Sequence, residues 1–100
     1  MKENQWEFGL DLNDAAAYSN RGRSYHELGQ YQQSIEDYDK AIDLDPDDAT
    51  YYINRGISYS DLGQQHRAIE DFDKAIELDP NHATPSASRE MALRALDESI

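Results

Sequence analysis

The residues best suited to chemistry in this sequence are the closely spaced carboxylates of "DLDPDD" at 43–48. Alternating carboxylates bind Ca²⁺ in a loop whose sixth position is Gly and whose twelfth position is a bidentate Glu. Counted from Asp43, the sixth position is Asp48 and the twelfth is Asn54. The stretch therefore does not predict a calcium loop, and we expect no bound metal.

The signals of catalysis are missing from the sequence as well. The stretch "GISYS" at 56–60 lacks the second Gly of a nucleophile elbow and falls inside a helical pattern. His26, His66 and His82 share no ligand or catalytic spacing, and the chain contains no Cys and no Gly-rich phosphate loop. We therefore expect a protein that is not an enzyme, with no catalytic residue and no cofactor.

The acidic composition narrows the choice of partners. The 100 residues suffice for one domain, and their formal net charge is −12. Nucleic acids and anionic membrane surfaces bind basic faces, so we expect neither as a partner. The N-terminal "MKENQWEFGL" has no apolar signal-peptide core. Together with the absence of Cys, this predicts a cytoplasmic protein.

An internal repeat is the strongest pattern in the chain. Shifting the sequence by 34 positions aligns 15–48 with 49–82, and 20 of the 34 aligned residues are identical. Periods in this range are typical of stacked supersecondary units. The sequence is therefore divided into two repeats, with one short segment before them and one after.

Each repeat carries the pattern of two helices. In the first repeat, apolar and small residues recur every three or four positions in two stripes, which is typical of helices that pack on one face. Gly29 follows the first stripe and favours a helix end, and Asp45-Pro46 ends the second. Asp48 is an expected N-cap for the next helix. The stripes are Tyr18, Gly22, Tyr25 and Leu28, then Ser34, Ile35, Tyr38, Ala41 and Ile42.

Small residues recur where the two helices of each repeat would cross. Gly22 and Ser34 would let the two helices approach in the first repeat, and Gly56 and Ala68 repeat that arrangement in the second. A Gly inside a helix is roughly 1 kcal/mol less favourable than Ala. Its recurrence at the same place predicts a close approach of the two helix backbones.

These positions resemble the tetratricopeptide repeat, a helix-turn-helix family. The resemblance covers 15–82 and implies an all-α fold, an α-solenoid of antiparallel helix pairs whose first helices line a concave groove. It also implies a non-catalytic role in binding a peptide segment of a partner protein. The matching residues are Tyr18, Gly22, Tyr25, Gly29, Ser34, Tyr38, Ala41 and Pro46, and then Tyr52, Gly56, Tyr59, Gly63, Ala68, Phe72, Ala75 and Pro80.

The segments outside the repeats are expected to cover their ends. Residues 83–100 read as a C-terminal capping helix, with Thr84 as N-cap and Pro85 at its first position. Residues 1–14 read as an N-terminal cap or as the remnant of a preceding second helix. A flexible arm that docks Trp6 and Phe8 into a groove, its own or a neighbour's, is the alternative.

The expected binding surface lies on the first helices, opposite the packed stripe. Ile53, Ile57 and Met91 would form an apolar anchor site there, unless the third helix simply packs over the two isoleucines. Arg23 would bind a partner's carboxylate or offset Glu27. The residues assigned to the groove are Ser19, Asn20, Arg23, His26, Ile53, Asn54, Ile57 and Met91.

The groove does not match every binding mode of the family. Some relatives hold the acidic C-termini of chaperones with a two-carboxylate clamp that needs lysines. Here Ser19 and Thr84 stand in the lysine positions, Arg23 replaces an Asn, and Ser88 replaces a basic residue. We therefore expect that chaperone tails are not the ligand, although Asn54 fits the pattern.

Two functions remain open from the sequence. The first is a protein-interaction module that binds a peptide or helix in the groove. The second is a structural scaffold unit, which would be either a slice of a longer array or a homo-oligomer formed through the apolar patch or the N-terminal arm. Arg21, Arg55 and Arg89 recur beside the packed stripe, where we expect their stems to cover the core and their guanidinium groups to reach acidic residues.

Overall fold

The computed structural model describes residues 6–7 and 10–98. Within them, five helices form an all-α solenoid: α1 packs against α2, α3 packs against α2 and α4, and α5 packs against α4. A short antiparallel pairing of β1 with β2 precedes the helices. The elements are β1 (Trp6–Glu7), β2 (Leu10–Asp11), α1 (Ala15–Glu27), α2 (Tyr31–Leu44), α3 (Ala49–Asp61), α4 (Gln65–Leu78) and α5 (Ala83–Glu98).

The first helices begin at capping residues spaced by the repeat length. The Asp14 carboxylate accepts the N–H of Ala16 at 2.9 Å, and the Asp48 carboxylate accepts the N–H of Thr50 at 2.9 Å. Each bond satisfies one of the free N–H groups of a helix N-terminus. The expectation for Asp48 is therefore confirmed.

The start of α5 differs from the sequence-based expectation. The helix begins at Ala83, so Thr84 and Pro85 lie inside its first turn and Thr84 is not the N-cap. Instead, the N–H of Thr84 donates to Nδ1 of His82 at 3.3 Å. The physical reason is the repeat itself, because His82 stands where Asp14 and Asp48 stand in the preceding units.

The turns inside the two repeats depend on glycine. Gly29 has φ of +78° and Gly63 has φ of +91°, in the left-handed region that residues with a Cβ seldom adopt. Each follows the end of a first helix, as the sequence predicts. The second helices end at Leu44 and Leu78, directly before an Asp-Pro pair.

The helices of each pair approach closely at an aromatic ring. A Cβ added to Gly22 would lie 2.9 Å from the Tyr38 ring and 3.2 Å from the carbonyl oxygen of Ser34. A Cβ added to Gly56 would lie 2.6 Å from the Phe72 ring. Both distances are shorter than van der Waals contact, so the predicted reason for these glycines is confirmed.

The core consists of two apolar clusters joined through α3. The first lies among α1, α2, α3 and α4, and the second lies where α5 meets α4. Ile57 is partly buried and packs against both clusters. The first contains Tyr18, Ala41, Ile42, Tyr51, Tyr52, Ile53 and Ala75, and the second contains Ala68, Phe72 and Ala92.

A buried hydrogen bond joins the two repeats. The Ser34 hydroxyl on α2 lies 2.7 Å from the Ser58 hydroxyl on α3, and both side chains are buried. The equivalent positions one repeat later are Ala68 and Ala92, which belong to the second apolar cluster. Small residues are therefore kept at both junctions, but one junction is polar and the other is apolar.

The three repeated arginines form a column of ion pairs along the stack. Arg21 binds Asp37 of its own repeat through two bonds of 2.8 Å. Arg89 on α5 binds Asp73 of the preceding repeat at 2.6 Å. The structure therefore confirms that these guanidinium groups reach acidic residues of adjacent helices.

The central arginine of this column binds carboxylates from two repeats. Arg55 donates to Asp71 at 2.7 and 2.9 Å and to Asp39 at 2.8 Å. Burial alone would lower the pKa of Arg55, but the bonds to the two carboxylates raise it above its ordinary value. Its guanidinium also lies over the rings of Tyr52 and Tyr59, at 5.7 and 5.9 Å from their centroids.

The N-terminal segment is not the remnant of a helix where the structure describes it. Trp6 pairs with Asp11 in an antiparallel register, and β2 contacts α1. The carboxylate of Asp11 accepts the N–H of Asn13 at 3.0 Å and its carbonyl accepts the N–H of Asp14, which turns the chain into α1. Phe8, which we expected to dock or to cap, lies outside the described residues.

Candidate functional site

The first helices lie next to one another, since α1 contacts α3 and α3 contacts α5. Their shared surface is called the first-helix face. Between α3 and α5 it contains a cavity of about 240 Å³, called the α3–α5 cavity. The cavity is lined by Ile57, Ser60, Asp61, Phe72, Ser88 and Met91.

On the apolar side of this cavity, Phe72 and Ile57 are held in place by packing, and Met91 is exposed. Phe72 is 1% exposed and holds its ring against Gly56, so it cannot move without disturbing the helix pair. Ile57 is anchored in both core clusters. Met91 is 68% exposed and stands at the rim, where its unbranched side chain can adapt to a guest. The cavity is therefore preformed on one side and adaptable on the other.

The polar part of the cavity presents oxygen atoms. Asp61 is the last residue of α3, and its side chain is 44% exposed. The Ser60 hydroxyl donates to Oε1 of Gln65 at 2.9 Å, and Nε2 of Gln65 donates back to the carbonyl of Ser60 at 3.1 Å. Gln65 thus fixes Ser60 through two bonds at the place where the first repeat has Tyr31.

The equivalent positions between α1 and α3 are much more polar. Shifting the cavity residues back by one repeat replaces Ile57 with Arg23 and Phe72 with Tyr38. The two sets of equivalent positions on the first-helix face therefore differ in chemistry. The α1–α3 positions are Arg23, His26, Glu27, Tyr38, Asn54 and Ile57.

The charged groups of the α1–α3 positions surround a buried phenol. Burial raises the pKa of Tyr38 to about 12, with Arg23 opposing the shift and Glu27 adding to it. Arg23 and Glu27 are both exposed. The tyrosine is therefore uncharged over the physiological range and keeps its ring packed on Gly22.

A side-chain hydrogen bond between His26 and Asp61 links the two sets of positions across the repeats. Nε2 of His26 lies 2.7 Å from Oδ2 of Asp61, and the His26 ring stands 5.2 Å from the Tyr31 ring. Asp61 therefore belongs to the α3–α5 cavity and also to the contact between α1 and α3. Helical spacing places Asp61 on the same face of α3 as Ile53 and Ile57, although Asp61 was not among the residues assigned to the groove.

The residues assigned to the groove from sequence fall into two groups. Ser19 and Ile53 are equivalent in the repeat and are both buried, and Ile53 belongs to the core at 5% exposure. Ile53 is therefore a core residue, but its cluster contains residues of α1 to α4 and none of α5. Arg23, Asn20 and Met91 are exposed, whereas His26, Asn54 and Ile57 are partly buried. Their role in binding stays a prediction.

Another cavity, of about 390 Å³, lies among the acidic turns that precede α3 and α5. It includes Asp45, Asp47 and Asp79. In the part of the chain that the structure describes, no three His, Cys, Asp or Glu side chains are arranged to hold a metal ion. Over the same residues, no helix has the length and apolar character needed to cross a membrane.

The comparison with solved structures agrees with this architecture. The first TPR of Spaghetti (RPAP3) bound to HSP90 peptide SRMEEVD is 27% identical over 89% of this chain and 72% of that chain, with a TM-score of 0.82. The TPR2B domain of yeast Sti1 in a pHsp70 complex is 30% identical over 84% of this chain and 67% of that chain, with a TM-score of 0.81. MamA is 26% identical over 87% of this chain and 51% of that chain, with a TM-score of 0.84.

Family models match the same region, whereas no curated protein matches the chain. The model of the TPR repeat matches residues 22–63, and the model of the tetratricopeptide repeat matches residues 49–82. These matches include both Gly–aromatic contacts and two of the helices that line the cavity, α3 and α4, whereas α5 lies beyond them. The shared repeat, the stacked helix pairs and the similar solved structures lead to one conclusion: the chain belongs to the tetratricopeptide repeat family.

Proposed function

We propose that the protein is a non-catalytic interaction module that binds a peptide segment or helix of a partner protein on the first-helix face. The observation that carries this proposal is the α3–α5 cavity, whose apolar walls are open to solvent at Met91. Apolar cavities with a few convergent polar groups are the usual anchor sites for ligands. A single side chain of the partner would enter this cavity, and the rest of the segment would follow the first helices.

The similar structures support a peptide as the class of ligand. Two of the three are named as complexes with chaperone peptides, one with HSP90 peptide SRMEEVD and one with pHsp70. At 27% and 30% identity they share the fold of this chain but not most of its side chains. The general binding mode is therefore proposed for this chain, without the specific ligand.

An acidic chaperone tail is a poor ligand for this face. Ser19, at one of the family's lysine positions, is buried here, and Thr84 lies in the first turn of α5. Ser88 and Asp61 line the cavity where a carboxylate-binding site needs cations. A negatively charged ligand would also approach a chain of net charge −12, which opposes association.

Self-association is the second candidate function, and it rests on the exposure of Met91 beside the cavity. A second copy could place an apolar side chain in the same cavity and form a homo-oligomer. Sedimentation velocity at several concentrations separates the candidates. A monomer up to about 1 mM contradicts self-association, because a useful dimer binds more tightly than that limit.

The test of the groove uses two variants that add the same charge at different exposed sites. Peptides are first selected from a displayed random library against the native chain. Met91→Lys should weaken their binding by about tenfold or more, because it removes an apolar contact at the cavity rim. Leu44→Lys, at the end of the second helix α2, should leave the affinity unchanged.

Circular dichroism must show that both variants remain folded. Equal binding by the native chain and Met91→Lys would contradict the proposal that the partner sits on the first-helix face. Loss of binding by Leu44→Lys alone would place the partner on the second helices instead.

A further inference from the structure

The polar atoms of the α3–α5 cavity can accept hydrogen bonds from a guest. The carboxylate of Asp61 has no proton to donate when ionised. Its Oδ2 faces His26 at 2.7 Å, and the described structure gives its Oδ1 no hydrogen-bond partner. The Ser60 hydroxyl directs its proton to Gln65, so its oxygen is left with acceptor capacity. A guest that brings hydrogen-bond donors can therefore bind both Asp61 and Ser60, while the Ser88 hydroxyl can donate or accept.

The apolar walls of the cavity indicate that the bound side chain has a hydrocarbon stem. Ile57 on α3, Phe72 on α4 and Met91 on α5 supply the apolar walls, and Ile57 packs against the cluster that contains Phe72. They can cover a hydrocarbon stem of several carbons before the guest reaches the carboxylate. A stem of this kind that ends in a charged donor is the side chain of Lys or Arg, which buries its methylenes and keeps its head at a polar rim.

The local electrostatics favour a cation over a neutral donor. Asp61 ends α3, and the C-terminal end of a helix carries partial negative charge. None of the six residues that line the cavity is basic. A bound ammonium or guanidinium group would therefore meet a carboxylate and a helix end, and His26, on the other carboxylate oxygen of Asp61, lies outside the six residues of the cavity wall.

We propose that the α3–α5 cavity binds one lysine or arginine side chain of the partner segment, with Asp61 as the residue that selects it. This inference rests on the proposed function, because it names the side chain that anchors the partner. The α1–α3 positions cannot take a second basic guest in the same way. Arg23 occupies the place of Ile57 there and would repel it.

The experiment uses four tripeptides of the form acetyl-Gly-Xaa-Gly-amide, in which Xaa is Lys, Arg, norleucine or Glu. Norleucine has a similar apolar stem without the charge. Binding to the full chain is followed by the NMR shifts of the Ile57 and Met91 methyl groups. The Lys and Arg peptides should bind about fivefold more tightly than the norleucine peptide, and the Glu peptide should bind most weakly.

Matched variants separate the role of Asp61 from effects on folding. Asp61→Asn should reduce Lys and Arg binding to the norleucine level, whereas Asp47→Asn, a carboxylate outside this cavity, should change nothing. His26→Asn removes the other partner of Asp61 but keeps the carboxylate, so the preference for Lys and Arg should remain. Loss of that preference in His26→Asn, with the fold intact, would contradict the assignment to Asp61.

The outcomes distinguish this inference from the proposed function. If norleucine binds as well as Lys, the cavity is an apolar anchor site, and the inference is overturned while the groove proposal stands. If no tripeptide shifts either methyl group, the inference is also overturned, and the groove proposal is decided by the Met91→Lys experiment. If selected peptides bind but contain no Lys or Arg at an anchor position, only the inference fails.

Discussion

The two repeats use the same geometry and join their neighbours with different chemistry. Between the first repeat and α3, Ser34 and Ser58 share a buried hydrogen bond of 2.7 Å. Between the second repeat and α5, the equivalent Ala68 and Ala92 are both buried without a polar atom. Both junctions therefore have small side chains at these two positions. Their polarity differs between the junctions, but the two residues of each pair are alike.

The aromatic residues of the two repeats show the same rule. Tyr38 packs on Gly22 and Phe72 packs on Gly56, so a ring is required in each repeat. Only Tyr38 carries a hydroxyl, and it lies near the charges of Arg23 and Glu27. The ring of the first repeat can therefore lose a proton, whereas the Phe72 ring cannot, and the apolar cavity lies next to Phe72.

The largest expected effect comes from removing a ring. Phe72→Ala should lower the free energy of unfolding by about 3–5 kcal/mol, because the side chain is 1% exposed and its loss leaves a cavity beside Gly56. Tyr38→Ala should cost a similar amount if the geometry is shared. Urea denaturation measures both, with the more exposed Leu62→Ala as a control. A decrease of less than about 1 kcal/mol in the free energy of unfolding for either variant would contradict the idea that both repeats depend on a packed ring.

A pH titration sharpens the difference between the two rings. Tyr38 has its pKa raised from 10.0 to about 12 by burial, so in the unfolded chain it loses its proton at lower pH than in the folded chain. Its contribution to stability is complete below pH 10.0 and is lost as the pH rises through about 12. The resulting loss in the free energy of unfolding is about 2–3 kcal/mol.

Tyr38→Phe, which copies the second repeat, is the control for this titration. Between pH 10.0 and about 12, the free energy of unfolding should fall less for this variant than for the native chain. Equal losses, measured by denaturation at each pH, would show that another group governs the alkaline transition.

A smaller effect is expected from removing the hydrogen bond between Ser34 and Ser58. Ser34→Ala should destabilise the chain by about 1–2 kcal/mol, because it leaves the buried Ser58 hydroxyl without its partner. The double variant Ser34→Ala with Ser58→Ala reproduces the arrangement of Ala68 and Ala92, so it should be more stable than Ser34→Ala alone. Additive costs in the denaturation midpoints would contradict the idea that the two positions act as a pair.

The smallest expected effect concerns the caps. His82→Asp copies Asp14 and Asp48 and should stabilise the chain by about 0.5–1 kcal/mol, since a carboxylate accepts the N–H of Thr84 and suits a helix N-terminus. The reciprocal change Asp48→His should be destabilising. Thermal unfolding of both variants gives the result, and a lower melting temperature for His82→Asp would overturn the assignment of a capping role to this position.

Features that depend on sequence spacing could be predicted without coordinates. The helix pairs, the left-handed Gly29 and the close approach at Gly22 all follow from residues of one repeat, because local conformation and ring size determine them. The arginine bonds followed from the same spacing. The N-cap at Asp48 is equally local, since its partner is two residues away.

Features that depend on how helices of different repeats meet could not be predicted. Ile53 and Ile57 stand on one side of α3, yet Ile53 is buried and Ile57 is only partly buried. His26 and Asp61 are 35 residues apart and have no motif in common. The start of α5 was missed because Thr84 matches an N-cap by type, while the repeat assigns that position to His82.

The arginine column also has a consequence for the accuracy of assembly. Arg55 holds Asp71 from its own repeat and Asp39 from the one before, each 16 positions away along the chain. A slip of one helical turn between neighbours moves a guanidinium by about 5 Å, which would break the contact between repeats while the contact within a repeat survives. The spacing of these charges therefore stabilises the native alignment of neighbouring repeats relative to an alignment shifted by one helical turn.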